Sequence, residues 1–101
     1  MVFIRGGCVY IMTNAHNSIY YIGVTSSLIS RVYDHKNKTY PTSFTAKYNC
    51  EKLVYYEFYP TIEEAIAREK ALKGGSRKAK IELIKAFNPN WKDLLDDLLN
   101  G

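Results

Sequence analysis

From Cys8 to His35 the chain reads CVYIM-TNAHNS-IYYIGV-TSSLIS-RVYDH. Residues 8–12 and 19–24 are rich in β-branched and aromatic side chains, the composition of strands, and residues 13–18 between them are turn formers in most positions. The pattern is that of a β-hairpin with a slightly long loop. Alternation along a strand puts Tyr10 on one face with Cys8 and Met12, and Tyr21 on one face with Ile19 and Gly23. Composition does not fix the register, so it leaves open whether the two tyrosines share a side. Gly23 removes a side chain beside Tyr21, as expected where another backbone or a ligand comes close. Taken alone, the two tyrosines read as ordinary half-buried strand packing.

The stretch continues into a helix, capped by Thr25 or Ser26 and predicted to run to about Asn37. Leu28 and Val32 form its apolar rows. Arg31 and His35 are one turn apart at the border of that stripe. Two cations stacked in this way disfavour each other. An anion bound between them, or a neutral His35 acting as acceptor or base, relieves the conflict.

Further along, residues 37–51 read as a loop in which Lys38 and Lys47 are interleaved with Tyr40, Phe44 and Tyr48. Such a composition suits a nucleic-acid strand with stacking bases, or a loop pinned to the sheet by its rings. Residues 52–59 are apolar on both faces and predict a third, central strand. Thr61-Ile62-Glu63-Glu64 is a capping box that opens a helix to about Lys73. Glu69 falls in the middle of that helix's apolar stripe, between Ile66 and Leu72. A carboxylate there pays a desolvation cost unless a divalent cation, a buried Arg, or a salt bridge to Arg68 or Lys73 offsets it. Gly74-Gly75 breaks the helix and Ser76 caps the next, to about Phe87. Lys73, Arg77, Lys78 and Lys80 surround that helix start, a plausible phosphate seat. Asn90 is then expected to cap a last helix carrying Trp91, Leu94, Leu95, Leu98 and Leu99 on one stripe, docked back on the domain.

At 101 residues the chain reads as one domain spanning 1–101. No apolar run approaches a membrane span, and two cysteines make neither a disulfide framework nor a zinc site. The cytoplasm is therefore the expected compartment, and a monomer is favoured over a dimer. Net charge is +4, concentrated in residues 31–52, with five basic and two acidic groups, and 66–85, with seven and two. Two basic segments separated by acidic ones suggest a partner carrying phosphates.

Five pieces in order carry a resemblance: Cys8-Val9-Tyr10, Tyr21-Ile22-Gly23, Arg31-x-x-x-His35, Ala65-x-x-Arg68-Glu69 and Asn88-Pro89-Asn90-Trp91. Together they resemble the GIY-YIG nucleases over roughly residues 7–95, and most closely the short stand-alone bacterial members. The resemblance implies an α+β fold with a small three-stranded antiparallel sheet flanked by helices. It implies a nuclease site of Tyr10, Tyr21, Arg31, His35 and Glu69, with Gly23 and Asn88 near it. Cys8 departs from the usual Gly.

The activity implied is a divalent-metal-dependent endonuclease cutting DNA, with RNA a possible substrate, in repair or processing. One magnesium or manganese ion would sit on Glu69, and Lys38, Lys47, Lys73, Arg77 and Lys78 would hold the nucleic acid. In this scheme nearby cations must lower the pKa of Tyr10 if it is to act as a base. The alternative is a non-catalytic nucleic-acid-binding module on the same fold.

Overall fold

The computed structural model describes residues 6–100. Three strands, β1 (Gly7–Thr13), β2 (Tyr20–Thr25) and β3 (Lys52–Tyr59), form one antiparallel sheet in the order β2-β1-β3. Helices α1 (Leu28–Lys36), α2 (Phe44–Lys47), α3 (Ile62–Gly74), α4 (Arg77–Phe87) and α5 (Leu95–Asn100) are the other elements among the described residues. The architecture is the expected α+β arrangement.

The hairpin turn is built by Asn14, whose Oδ1 accepts the backbone N–H groups of Ser18 and Ile19 at 2.8 and 3.1 Å. Asn17 takes up the left-handed conformation there, which asparagine tolerates well. β1 pairs on both edges and every one of its residues is buried. This corrects the sequence expectation that β3 is central. Its apolar residues on both faces reflect the cover it receives from the C-terminal segment and from the helices.

The strand alternation divides the core in two. Cys8, Tyr10 and Met12 face α1 and α5, packing with Leu28, Val32, Leu53, Leu94 and Leu95. Val9 and Ile11 face the other way, with Ile22, Val54 and Ile84, against Leu72 of α3 and Leu83 of α4. On this second face α3 lies so close to the sheet that a Cβ on Gly7 would meet the Ala65 Cβ at 2.7 Å. Only glycine allows that approach.

Thr61, Ser76 and Ser43 each cap a helix, accepting from Glu64, Ala79 and Ala46. The start of α1 is different: the Thr25 hydroxyl accepts from the Ser27 N–H, and Ser27 occupies the cap position. The expected last helix is much shorter than its leucine pattern suggests. Trp91 has φ of 52° and packs on the second face beside Tyr20, while Leu94 and Leu95 pack on the first. Asp93, not Asn90, serves the helix start, its Oδ1 accepting from the N–H groups of Leu95 and Leu53. The same carboxylate pairs with Lys36, so one residue ties α5, β3 and α1 together.

Candidate active site

The hairpin register sets Tyr10 opposite Gly23 and Met12 opposite Tyr21. Both tyrosines therefore project from the face that α1 covers. Their ring centroids are 6.2 Å apart, and the His35 ring lies 5.7 Å from Tyr10 and 5.4 Å from Tyr21. Gly23 makes room for Tyr10: a Cβ there would lie 2.5 Å from both Cζ and Oη of the phenol. The space beside Tyr21 anticipated for a ligand is thus filled by the other signature tyrosine.

Tyr10 is 1% exposed, and its hydroxyl is 2.9 Å from His35 Nε2. On the other side of the imidazole, Nδ1 is 2.8 Å from the hydroxyl of Thr45, which is itself buried on α2. Burial, then the adjacent Tyr21 phenol, push the Tyr10 pKa well above its ordinary value, against a lowering by Arg31. Burial, then Arg31, hold His35 below its ordinary value. Both groups are neutral at pH 7. A neutral phenol can donate to Nε2, and in that tautomer Nδ1–H donates to Thr45. Tyr10 is accordingly no ready-made phenolate. The expectation that neighbouring cations lower its pKa is corrected, because desolvation outweighs the one guanidinium nearby.

Arg31 sits one turn before His35, and no carboxylate pairs with it among the described residues. Its charge stays available to an anion at the rim of the aromatic group. Thr45 was not visible in the sequence; the one local signal is Ser43, which caps the helical turn that carries it.

Glu69 comes from α3, on the opposite face. Arg68 reaches β3, where it pairs with Glu57 at 3.4 Å, and Glu57 also accepts from Tyr55 and Tyr59. At 100° per residue, with Ala65 pointing at the sheet, Glu69 lies on the other flank of α3, toward the edge strand β2 that carries Tyr21. Its side chain is 16% exposed and pairs with Lys73 at 3.3 Å. The described residues contain no group of three His, Cys, Asp or Glu able to hold a metal. A lone, largely shielded carboxylate fits a magnesium-like ion, which keeps several waters and takes other ligands from a phosphate. Lys73, the carboxylate's partner, is half exposed.

The remaining residues divide sharply. Asn88 is buried, donating to the carbonyls of Val54 and Lys92 and accepting from the Lys92 N–H, so its amide is committed to the turn before α5. Arg77 donates to the Ser18 carbonyl at 2.7 Å and lies over the Tyr20 ring, strapping α4 to the hairpin loop. The phosphate seat expected at α4 is in part already used: Ser76 caps the helix and Lys80 donates to the Gly75 carbonyl. Lys38 is held by Asn49 and Glu51. Lys78 is exposed, and Lys47 lies over the Tyr48 ring. Cys8, in place of the usual Gly, is buried against the first core, its thiol pushed up to about 12 by burial and so inert.

The profile of the GIY-YIG catalytic domain matches residues 6–82. The chain belongs to the GIY-YIG family. A GIY-YIG catalytic domain implies a nuclease with a nucleic-acid substrate, and the strand order and helices above are those of its fold. The domain is also similar to the solution NMR structure of the UPF0213 protein BH0048 from Bacillus halodurans. That likeness has a TM-score of 0.54 at 25% identity and covers 86% of this chain and 90% of the other. No curated protein matches this GIY-YIG chain. No helix among the described residues is long and apolar enough to cross a membrane.

Proposed function

We propose that the Tyr10–Tyr21–Arg31–His35 face, with Glu69 contributing from the other face past the β2 edge, is the active site of a divalent-metal-dependent endonuclease that hydrolyses DNA phosphodiester bonds in repair or processing. The observation that carries this reading is the 2.9 Å contact between the Tyr10 hydroxyl and His35 Nε2, beside an Arg31 that pairs with no carboxylate among the described residues.

Tyr10 takes the proton of the attacking water as it gives its own to His35, so no free phenolate is needed. The imidazolium formed keeps its Nδ1–H on Thr45. It is disfavoured by Arg31 until the phosphate's negative charge offsets both, which ties proton transfer to a bound substrate. Tyr21, more exposed than Tyr10, holds the water or a phosphate oxygen. Arg31 neutralises the charge growing on the phosphoryl oxygens. A magnesium or manganese ion on Glu69 would supply Lewis-acid charge at the scissile phosphate and stabilise the leaving oxygen.

The reading extends to one domain, acting as a monomer in the cytoplasm. Supporting this, Leu94, Leu95 and Leu98 pack against the first core, which leaves little of the leucine-rich end for a partner. Cys8 and Cys50 are buried and unpaired, as suits a reducing compartment. One observation favours the alternative of a non-catalytic binding module, namely that Glu69 is already paired with Lys73.

The test is incubation of the purified protein with duplex, nicked, branched and single-stranded DNA plus magnesium or manganese, with a chelator control and the Arg31→Ala variant. Metal-dependent cleavage that falls about a hundredfold in a folded Arg31→Ala protein supports the nuclease. Binding without cleavage of any substrate supports the module.

A further inference from the structure

The turn α2 is built inside out. Its small residues, Thr45 and Ala46, are buried, while its ring, Phe44, is 44% exposed and the Tyr48 ring that follows is 39% exposed. Aromatics that only pin a loop bury their rings and leave small residues to the solvent. Here the buried Thr45 holds α2 to His35, and the rings face outward. The Phe44 and Tyr48 centroids are 4.7 Å apart, and Phe44 lies 6.1 Å from Tyr21 with the planes 29° from parallel. A continuous aromatic surface therefore runs from the signature tyrosine out to solvent.

Its charge has one sign. Residues 36–50 carry three lysines and no carboxylate. Lys36 and Lys38 are paired with Asp93 and Glu51, but Lys47, whose ammonium is 5.5 Å from the Tyr48 ring centroid, has no carboxylate partner among the described residues.

We propose that Tyr21, Phe44 and Tyr48, with Lys47 beside them, form a stacking platform for unpaired nucleobases, so that the substrate enters the site as a single-stranded segment. Exposed π-faces beside a free cation are the arrangement that binds bases without reading them, and bases locked in a duplex cannot offer their faces to it. This deepens the nuclease reading and rests on it for the cut, but base stacking itself needs neither metal nor cleavage.

The experiment measures equilibrium binding with chelator present, so that nothing is cut. A fluorescent oligonucleotide is titrated as a single strand and as the matching blunt duplex. The proteins are wild type, Phe44→Ala/Tyr48→Ala, and Phe44→Leu/Tyr48→Leu, which keeps apolar bulk without π-faces should the alanine variant fail to fold. The single strand is expected to bind wild type more tightly. A folded variant is expected to lose roughly tenfold or more of that affinity, with duplex binding unchanged. Equal binding of the two DNA forms by wild type, or a folded leucine variant that keeps full single-strand affinity, overturns the platform. No binding of either DNA overturns it too, leaving the rings as a protein contact. Failure of the nuclease reading looks different: the platform then binds single strands normally, and metal added afterwards produces no cleavage.

Discussion

The Nδ1 atom of His35 lies 2.8 Å from the Thr45 hydroxyl, so a residue of the segment between α1 and β3 holds the imidazole with Nε2 turned toward Tyr10. Thr45 touches no substrate in this scheme and is a positioning residue. Thr45→Val keeps the shape and removes the partner of Nδ1. The variant should cut about tenfold more slowly, the scale of one lost hydrogen bond, while Thr45→Ser should retain the rate. Nitrogen NMR of the His35 ring should show the Nδ1–H tautomer in wild type and a mixture in Thr45→Val. An unchanged tautomer and rate would leave Thr45 with packing alone.

Gly23 and Tyr10 make a second linked pair. Because a Cβ at Gly23 would lie 2.5 Å from the phenol's outer atoms, Gly23→Ala must displace the ring. Overpacking of this kind costs about 1–3 kcal/mol, readable from the urea midpoint, and the displaced hydroxyl should no longer reach His35. A variant as stable as wild type would show that the ring yields easily.

The pH dependence follows from burial of the same pair. His35 titrates below its ordinary 6.5 in the folded protein, because burial and then Arg31 disfavour its charged form. The stability it contributes is fully present above about pH 6.5, the unfolded value, and is lost as pH falls toward the folded value. Cleavage should fall as pH passes through that lower folded value, since a protonated imidazole cannot accept from Tyr10. A ring-proton titration of His35 should give a midpoint below 6.5, moving up in Arg31→Ala. A midpoint at or above 6.5 in wild type would contradict the neutral His35.

Glu69 is tested through stability. Glu69→Gln removes its charge and its pair with the half-exposed Lys73, a loss of no more than about 0.5 kcal/mol for such a helical pair. Magnesium or manganese should raise the melting temperature of the wild type and leave that of the variant nearly unchanged, because a ligand of the native state stabilises it by mass action. Equal shifts in both proteins would remove Glu69 as the ligand.

Much of this was legible in the chain, and the limits have physical causes. Strand composition and turn residues marked the hairpin, and the caps at Thr61 and Ser76 marked their helices, because these signals are local. The shared face of Tyr10 and Tyr21 depends on register, which a loop of six residues does not fix. Thr45 meets His35 only when the segment after α1 folds back, so no spacing announces it. The leucine pattern from Trp91 onward suggested one stripe, but the left-handed turn at Trp91 sends its ring and the leucines to opposite faces of the sheet. β3 was misplaced for a related reason: apolar residues on both faces show that a strand is covered, not that it is central.

The step on which the proposed hydrolysis depends is the relay of a proton from the Tyr10 hydroxyl to His35. Tyr10→Phe removes that one oxygen and keeps the ring packed over Gly23. Single-turnover cleavage with saturating metal, on a variant whose fold is checked by circular dichroism, is the most direct measurement. A rate lower by about a hundredfold or more, with DNA binding unchanged, is the predicted result. Cleavage at the wild-type rate would contradict it.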